Sequence, residues 1–70
     1  MRYAVVIEKA EDNYSAYVPD LPGCVATGLT RAEVQQNIRE AIEFHLEGMR
    51  LDGLPIPEPS AWAETVDLSA

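Results

Sequence analysis

The stretch YSAYVPDLPGCVATG, residues 14–28, decides the fold because it contains two short strands and the turn between them. Tyr14 to Val18 is rich in aromatic and β-branched residues, which favour a strand. The next five residues, PDLPG, end that strand, because each proline removes a backbone donor and Gly23 permits a positive φ. Cys24 to Thr27 then predicts another short strand.

A further strand precedes this stretch. Tyr3 to Lys9 carries the same β-favouring residue types. Between this segment and Tyr14 lies the polar segment Ala10 to Asn13, whose length and residue types are typical of a hairpin turn. The two strands are therefore predicted to pair antiparallel.

A long amphipathic helix follows the third strand. Thr30 and Glu33 fit a capping box, in which the Thr30 hydroxyl accepts from the Glu33 amide and the Glu33 carboxylate accepts from the Thr30 amide. From there apolar residues recur at helical spacing for about 22 residues. The helix is predicted to end where Gly53 acts as its C′ residue, since Pro55 forbids continuation. Its apolar side consists of Val34, Ile38, Ala41, Ile42, His45, Leu46 and Met49.

The remainder of the chain is predicted to be extended. Prolines at positions 55, 57 and 59 hold the backbone in the polyproline or β region. Trp62, Val66 and Leu68 recur at even spacing and predict a final strand. The element order is then β-β-β-α-β, an α+β fold with a small antiparallel sheet and one long helix on one face. The chain, residues 1–70, is short enough to be a single domain.

This arrangement leaves apolar side chains uncovered. One helix covers one face of the sheet, yet both alternating sets of side chains in the first hairpin contain apolar residues. Phe44 and Leu51, one heptad apart, project near the polar side of the helix. Such surfaces favour an interface, so a homo-oligomer, either a dimer or a tetramer, is expected. The candidate residues for a partner or oligomer interface are Tyr17, Asp20, Leu21, Phe44, Leu51 and Trp62.

The charge of the chain narrows its partners. Twelve acidic residues against five basic ones give a net charge of -7. Nucleic-acid binding depends on neutralising phosphates, so direct binding to DNA or RNA is not expected, whereas a basic protein is attracted. No apolar run reaches the roughly 20 residues of a membrane span, and the N-terminus does not read as a signal peptide. A cytoplasmic location without a membrane is expected, consistent with a lone cysteine.

The polar residues do not predict catalysis. The carboxylates Glu8 and Asp20 lie at a strand end and in a turn, and those on the helix face away from the sheet, so no metal-binding cluster is expected. Cys24 and His45 lack a group to orient them as a nucleophile and base, and they are interpreted as a core thiol and a half-buried histidine. No catalytic residue, cofactor or metal site is predicted, and the chain is expected not to be an enzyme. The helix carboxylates are Glu40, Glu43 and Glu47.

Two motifs resemble those of the HicB-like antitoxin family. The first is YSAYVPDLPGCVATG, residues 14–28, and the second is the capped helix with AIEFHLEG, residues 41–48, followed by DGLPIPEP, residues 52–59. The resemblance extends from the first strand to Ser60. It implies a partial ribonuclease-H-like fold and an antitoxin that silences a small, basic, RNA-cleaving toxin of the HicA type.

The resemblance also sets out an alternative. Many fuller members of the family carry a C-terminal DNA-binding module, and this chain shows no second basic segment. It is therefore expected to act without a DNA-binding domain, either as an antitoxin or as a stand-alone oligomeric interaction module that has no toxin. The sequence leaves these two possibilities open.

Overall fold

The computed structural model describes residues 1–69 and contains three strands followed by one helix. The strands are β1 (Val6–Lys9), β2 (Tyr14–Tyr17) and β3 (Val25–Gly28), and the helix α1 is Arg31–Leu51. They form an antiparallel sheet of order β1-β2-β3. The predicted α+β class, the hairpin and the long helix are confirmed.

The register of the sheet separates its side chains into two faces. Ile7 pairs with Ala16, which in turn pairs with Ala26, and this row lies on the face that α1 covers. The adjacent row, Val6, Tyr17 and Val25, is paired in the same way but lies on the opposite face, because successive side chains of a strand alternate.

The strand bounds differ slightly from the predicted ones. The first strand begins at Val6 instead of Tyr3, because continuing the register would place Ala4 opposite Pro19, which has no amide hydrogen to donate. The third strand begins one residue late, at Val25. Cys24 belongs instead to the turn, where its amide donates to the Leu21 carbonyl at 3.1 Å.

The helix is capped at both ends by its own sequence. The Thr30 hydroxyl accepts from the Glu33 amide at 3.0 Å, as predicted. The Glu33 carboxylate, however, accepts from the amide of Leu29 at 3.1 Å and not from that of Thr30, so this half of the predicted capping box is wrong by one residue. Gly53, with φ of +70°, is the predicted C′ residue and donates to the Arg50 carbonyl.

The core lies between the first half of α1 and the strands β2 and β3. The helix packs mainly on β3 and then on β2. At Gly28 the helix approaches so closely that an added Cβ would lie 2.6 Å from the Val34 backbone nitrogen, so only glycine fits. The fully buried apolar side chains are those of Ala16, Val18, Leu21, Cys24, Val34 and Ile38.

The predicted final strand at Trp62, Val66 and Leu68 is wrong for the described chain. Within residues 1–69 no strand follows α1, and these three side chains are exposed. Even spacing of apolar residues predicts a strand only when a strand edge also supplies hydrogen bonds, and the segment from Trp62 to Ser69 is exposed and paired with no strand. The resulting shape is elongated, 49 × 27 × 16 Å.

Candidate partner-binding surfaces

An apolar row crosses the sheet face that the helix does not cover. We call it the outer sheet row, and it consists of Val6, Tyr17 and Val25, one residue from each strand. Tyr17 and Val25 are exposed and Val6 is half-buried. Because the three residues are directly paired, they form one contiguous apolar strip across the sheet.

A second apolar surface runs along the outside of α1. Phe44, Gly48 and Leu51 recur at spacings of four and three residues, so they share one stripe of the helix, which we call the helix stripe. Phe44 is 84% exposed and Leu51 is 78% exposed. Three exposed carboxylates on the same part of the helix flank the stripe, namely those of Glu40, Glu43 and Glu47. Glu47 also forms a salt bridge with Arg50.

A third surface is a groove of about 820 Å³ between β1 and the helix, the β1 groove. It exists because α1 packs on β2 and β3 and leaves β1, an edge strand, uncovered on its helix-facing side. Its polar lining includes Arg2, Arg39, Gln35 and Glu43. The apolar lining consists of Tyr3, Val5, Ile7, Ile38, Ile42 and Leu46.

Two contacts attach the C-terminal segment to the end of the sheet. The Asp20 carboxylate accepts hydrogen bonds from the Ser60 amide at 2.9 Å, the Ser60 hydroxyl at 2.8 Å and the Ala61 amide at 3.1 Å. These bonds lower the pKa of Asp20, with the Ala61 amide as the largest cause. The Tyr3 hydroxyl donates to the Pro57 carbonyl. The segment is therefore attached at two points, at Pro57 to Tyr3 and at Ser60 and Ala61 to Asp20.

The candidate interface residues do not form one patch. Tyr17 belongs to the outer sheet row, Phe44 and Leu51 to the helix stripe, and Trp62 to the exposed C-terminal segment. Leu21 is only 1% exposed, so its proposal as a surface residue is wrong: the turn folds inward, with the Val18 amide donating to the Cys24 carbonyl at 3.2 Å.

Asp20 is bound within the chain itself, since all three hydrogen bonds that its carboxylate accepts come from Ser60 and Ala61. Sequence reasoning did not find this link or the one from Tyr3 to Pro57. The partners lie 40 or more positions apart, and no local pattern signals such a contact. The β1 groove was missed for a related reason, because the sequence does not show which strands the helix covers.

The residues considered for chemistry are a buried thiol, Cys24, and a half-buried imidazole, His45. Burial raises the pKa of the Cys24 thiol, which disfavours the thiolate that a nucleophile requires. His45 is half-buried on the helix. Among residues 1–69 no group of three or more histidine, cysteine, aspartate or glutamate side chains is placed to hold a metal ion. Nor does any helix in that range combine the length and apolar composition of a membrane span.

The fold is a small α+β domain with exposed apolar surfaces, and comparison with known proteins places it in a family. The family model described as HicB_like antitoxin of bacterial toxin-antitoxin system matches residues 3–69. The chain belongs to this family, which confirms the resemblance found in its motifs. The match includes the exposed C-terminal segment.

Individual relatives agree with this assignment. An uncharacterized 14.9 kDa protein from the rep-hol intergenic region of Haemophilus phage HP1 is 47% identical over 58 residues, which cover 83% of this chain and 44% of the phage protein. A UPF0150 protein of Thermoplasma acidophilum is 42% identical over 67 residues, covering 94% of this chain and 97% of that protein. The chain therefore spans less than half the length of the phage relative but nearly all of the archaeal one.

A solved structure shows the same fold. A chain of the HicA3 and HicB3 toxin-antitoxin complex superimposes with a TM-score of 0.73 at 33% sequence identity. The match covers 84% of this chain and 70% of that chain. The fold of this protein is thus one that occurs in an assembled toxin-antitoxin complex.

Proposed function

We propose that this chain is an antitoxin that neutralises a small, basic, mRNA-cleaving toxin of the HicA type by occluding its RNA-binding and catalytic surface. The observation that carries the proposal is the likeness to a chain of the HicA3 and HicB3 complex, at 33% identity. Membership of the HicB-like antitoxin family supports it independently.

Charge supports a basic partner. The chain has a net charge of -7. A toxin that binds RNA must present cations to phosphates, and an acidic protein can offer carboxylates to the same cations. Such complementarity accelerates encounter and selects the partner, and it weakens as salt increases.

The helix stripe is the surface that best fits such a toxin. It combines exposed Phe44 and Leu51 with flanking carboxylates. An aromatic anchor surrounded by charge is the usual composition of a binding hot spot and its rim. Gly48, which lies between the two apolar residues and has no heavy atom within 4 Å of an added Cβ, gives the stripe a flat centre that a partner can approach closely.

The remaining parts of the proposal follow from the same features. The chain acts in the cytoplasm as a single domain, performs no catalysis, associates with copies of itself and does not bind DNA or RNA through these residues. The acidic charge disfavours contact with phosphates, and the uncovered apolar surfaces favour contact with protein.

A stand-alone interaction module is the second candidate. The outer sheet row favours it, because this strip is uncovered in the single chain and carries no charge that selects a basic toxin. In that case self-association would be the whole function, and no toxin would be inhibited.

The test measures RNA cleavage by a HicA-type toxin from the same organism while the chain is added. We expect inhibition that weakens as the salt concentration rises. Phe44→Ala should require about 30-fold more protein for the same inhibition, as expected for loss of an aromatic hot spot. Leu29→Ala, which removes an apolar side chain 72% exposed at the other end of the helix, is the matched control and should inhibit normally.

Three results would contradict the proposal. Cleavage that continues unchanged at excess antitoxin would favour the stand-alone module. Inhibition that does not respond to salt would contradict the electrostatic part. Equal inhibition by Phe44→Ala and the unmodified chain would exclude the helix stripe as the toxin-facing surface.

A further inference from the structure

The segment from Trp62 to Ser69 projects from the fold as an arm, and its composition suits an interface. All of its side chains are exposed, including Trp62 at 76%. Trp62, Val66 and Leu68 occupy alternate positions with Glu64, so in extended form they share one side. A domain of 70 residues has a small core, and three large apolar side chains left in water add nothing to its stability. Their burial against another surface would therefore be favourable.

The same molecule contains an empty site of matching chemistry. The β1 groove is apolar on both walls, and the outer edge of β1 has no strand paired to it among the described residues. An unpaired strand edge is a template for an added strand, which gains backbone hydrogen bonds along its length. The eight-residue arm in extended form is roughly 26 Å long, which is more than enough to run along the four residues of β1.

Charge also matches between the arm and the groove. Arg2 and Arg39, two of the five basic residues of the chain, line the β1 groove. The arm carries Glu64 and Asp67. Glu43 also lines the groove, so two arginines against one glutamate leave the lining with a net positive charge, which attracts the acidic arm.

We propose that the arm of one copy of this chain occupies the β1 groove of a second copy, and that the second arm returns the exchange. The anchor at Asp20 fixes the base of the arm at Ser60 and Ala61, and beyond it every residue from Trp62 to Ser69 is exposed, so the arm does not pack on its own sheet. A reciprocal exchange is a two-fold symmetric contact, in which each copy supplies both an arm and a groove.

The buried area is sufficient for a stable pair. Each arm contributes one tryptophan, one valine and one leucine, each at least 75% exposed. Burial of these six side chains and of the groove surface beneath them removes on the order of 1,300 Å² in total, at the lower end of the range for specific interfaces. The pairing concerns the chain alone and does not depend on the proposed inhibition of a toxin.

The test compares two matched aromatic variants by sedimentation equilibrium of the full chain without toxin. The unmodified chain should be a dimer at micromolar concentration. Trp62→Ala should raise the dimer dissociation constant at least 30-fold, because each dimer loses two anchors. Phe44→Ala, which removes an equally exposed aromatic side chain from the helix stripe, should leave the dimer unchanged. A monomeric unmodified chain, or a dimer that depends on Phe44 and not on Trp62, would overturn the proposal.

A cross-linking experiment identifies the occupant of the groove. Val5→Cys and Val66→Cys are combined in one chain and treated with a short bismaleimide, the native Cys24 being buried. Exchange predicts a covalent dimer on denaturing gels. Cross-linked monomer would show that the arm closes on its own groove, and absence of any cross-link would show that the arm does not reach it. Both results would overturn the proposal. Val25→Cys with Val66→Cys, on the outer sheet row, is the control and should not cross-link.

The experiments distinguish failure of the proposed dimer from failure of the proposed toxin inhibition. If Trp62→Ala is monomeric yet still inhibits the toxin, the exchange stands as an interface independent of inhibition. If added toxin dissociates the cross-linkable dimer, toxin and arm compete for the groove, and the exchange stands for the chain without toxin.

Discussion

The two sides of the sheet, one at β2 and β3 and the other at β1, differ in how closely the helix packs against them. Beside β2 and β3 the helix packs so closely that Gly28 has no room for a Cβ, and the buried side chains lie there. Beside β1 the helix leaves a groove, and the C-terminal arm is exposed. The closely packed side holds the fold together, while the open side and the helix stripe are available to other proteins. Substitutions on the two sides should therefore affect different measurements.

The largest effect is expected at the centre of the packed side. Leu21→Ala should lower the free energy of unfolding by about 2–5 kcal/mol, because it leaves a cavity at a side chain only 1% exposed. Urea unfolding followed by circular dichroism measures the change. Leu51→Ala on the exposed helix stripe is the control and should stay within about 0.5 kcal/mol. Equal losses would show that the turn around Leu21 is not packed as described.

A smaller loss is expected where the helix meets β3. Gly28→Ala places a Cβ 2.6 Å from the Val34 backbone nitrogen, and backbone cannot move aside as a flexible side chain can. We expect a loss of about 1–3 kcal/mol in the free energy of unfolding, as for an overpacked core. Unchanged stability would contradict the close approach that defines this side.

The opposite sign is expected for a glycine on the helix stripe. Gly48→Ala should raise the free energy of unfolding by about 0.5–1 kcal/mol, because alanine loses less backbone entropy in a helix and its Cβ meets nothing within 4 Å. The pair Gly28→Ala and Gly48→Ala is a matched comparison of the two regions in one unfolding assay. Destabilisation by Gly48→Ala would show that the stripe is already covered in the isolated protein.

The smallest effect is local and depends on pH. The pKa of Asp20 is lower in the folded chain than its ordinary value of about 4. The hydrogen bonds from Ser60 and Ala61 to the Asp20 carboxylate are therefore fully formed when the pH is above the ordinary pKa, and they are lost as the pH falls through the lowered pKa. Nuclear magnetic resonance should show the Ser60 and Ala61 amide shifts titrating in that range. Asp20→Asn should abolish the titration. A midpoint above the ordinary value would reverse the sign and contradict the anchor.

Local features of the fold were predictable and distant ones were not. The hairpin, the Thr30 cap and the end of the helix at Gly53 each depend on residues within a few positions of one another, where turn and capping preferences act directly. Leu21 was predicted at the surface because it lies between two prolines of a turn, and only the inward fold of that turn buries it.

The surfaces show the same limit. Exposure of Phe44 and Leu51 followed from the helical period, which fixes the side of the helix that each residue occupies. The β1 groove and the attachment of Asp20 to Ser60 depend on how separate elements pack, which no periodicity encodes. The final strand was predicted from alternation alone, whereas a strand also requires pairing, and within residues 1–69 this segment pairs with no strand.

We propose above all that this acidic chain binds a basic protein through an exposed apolar surface. Isothermal titration calorimetry of the purified chain with a catalytically inactive HicA-type toxin from the same organism tests it directly. We expect saturable binding whose dissociation constant rises about tenfold or more as the salt concentration rises from about 0.1 M to several times that value. Absence of binding at low salt, with both proteins folded, would contradict it.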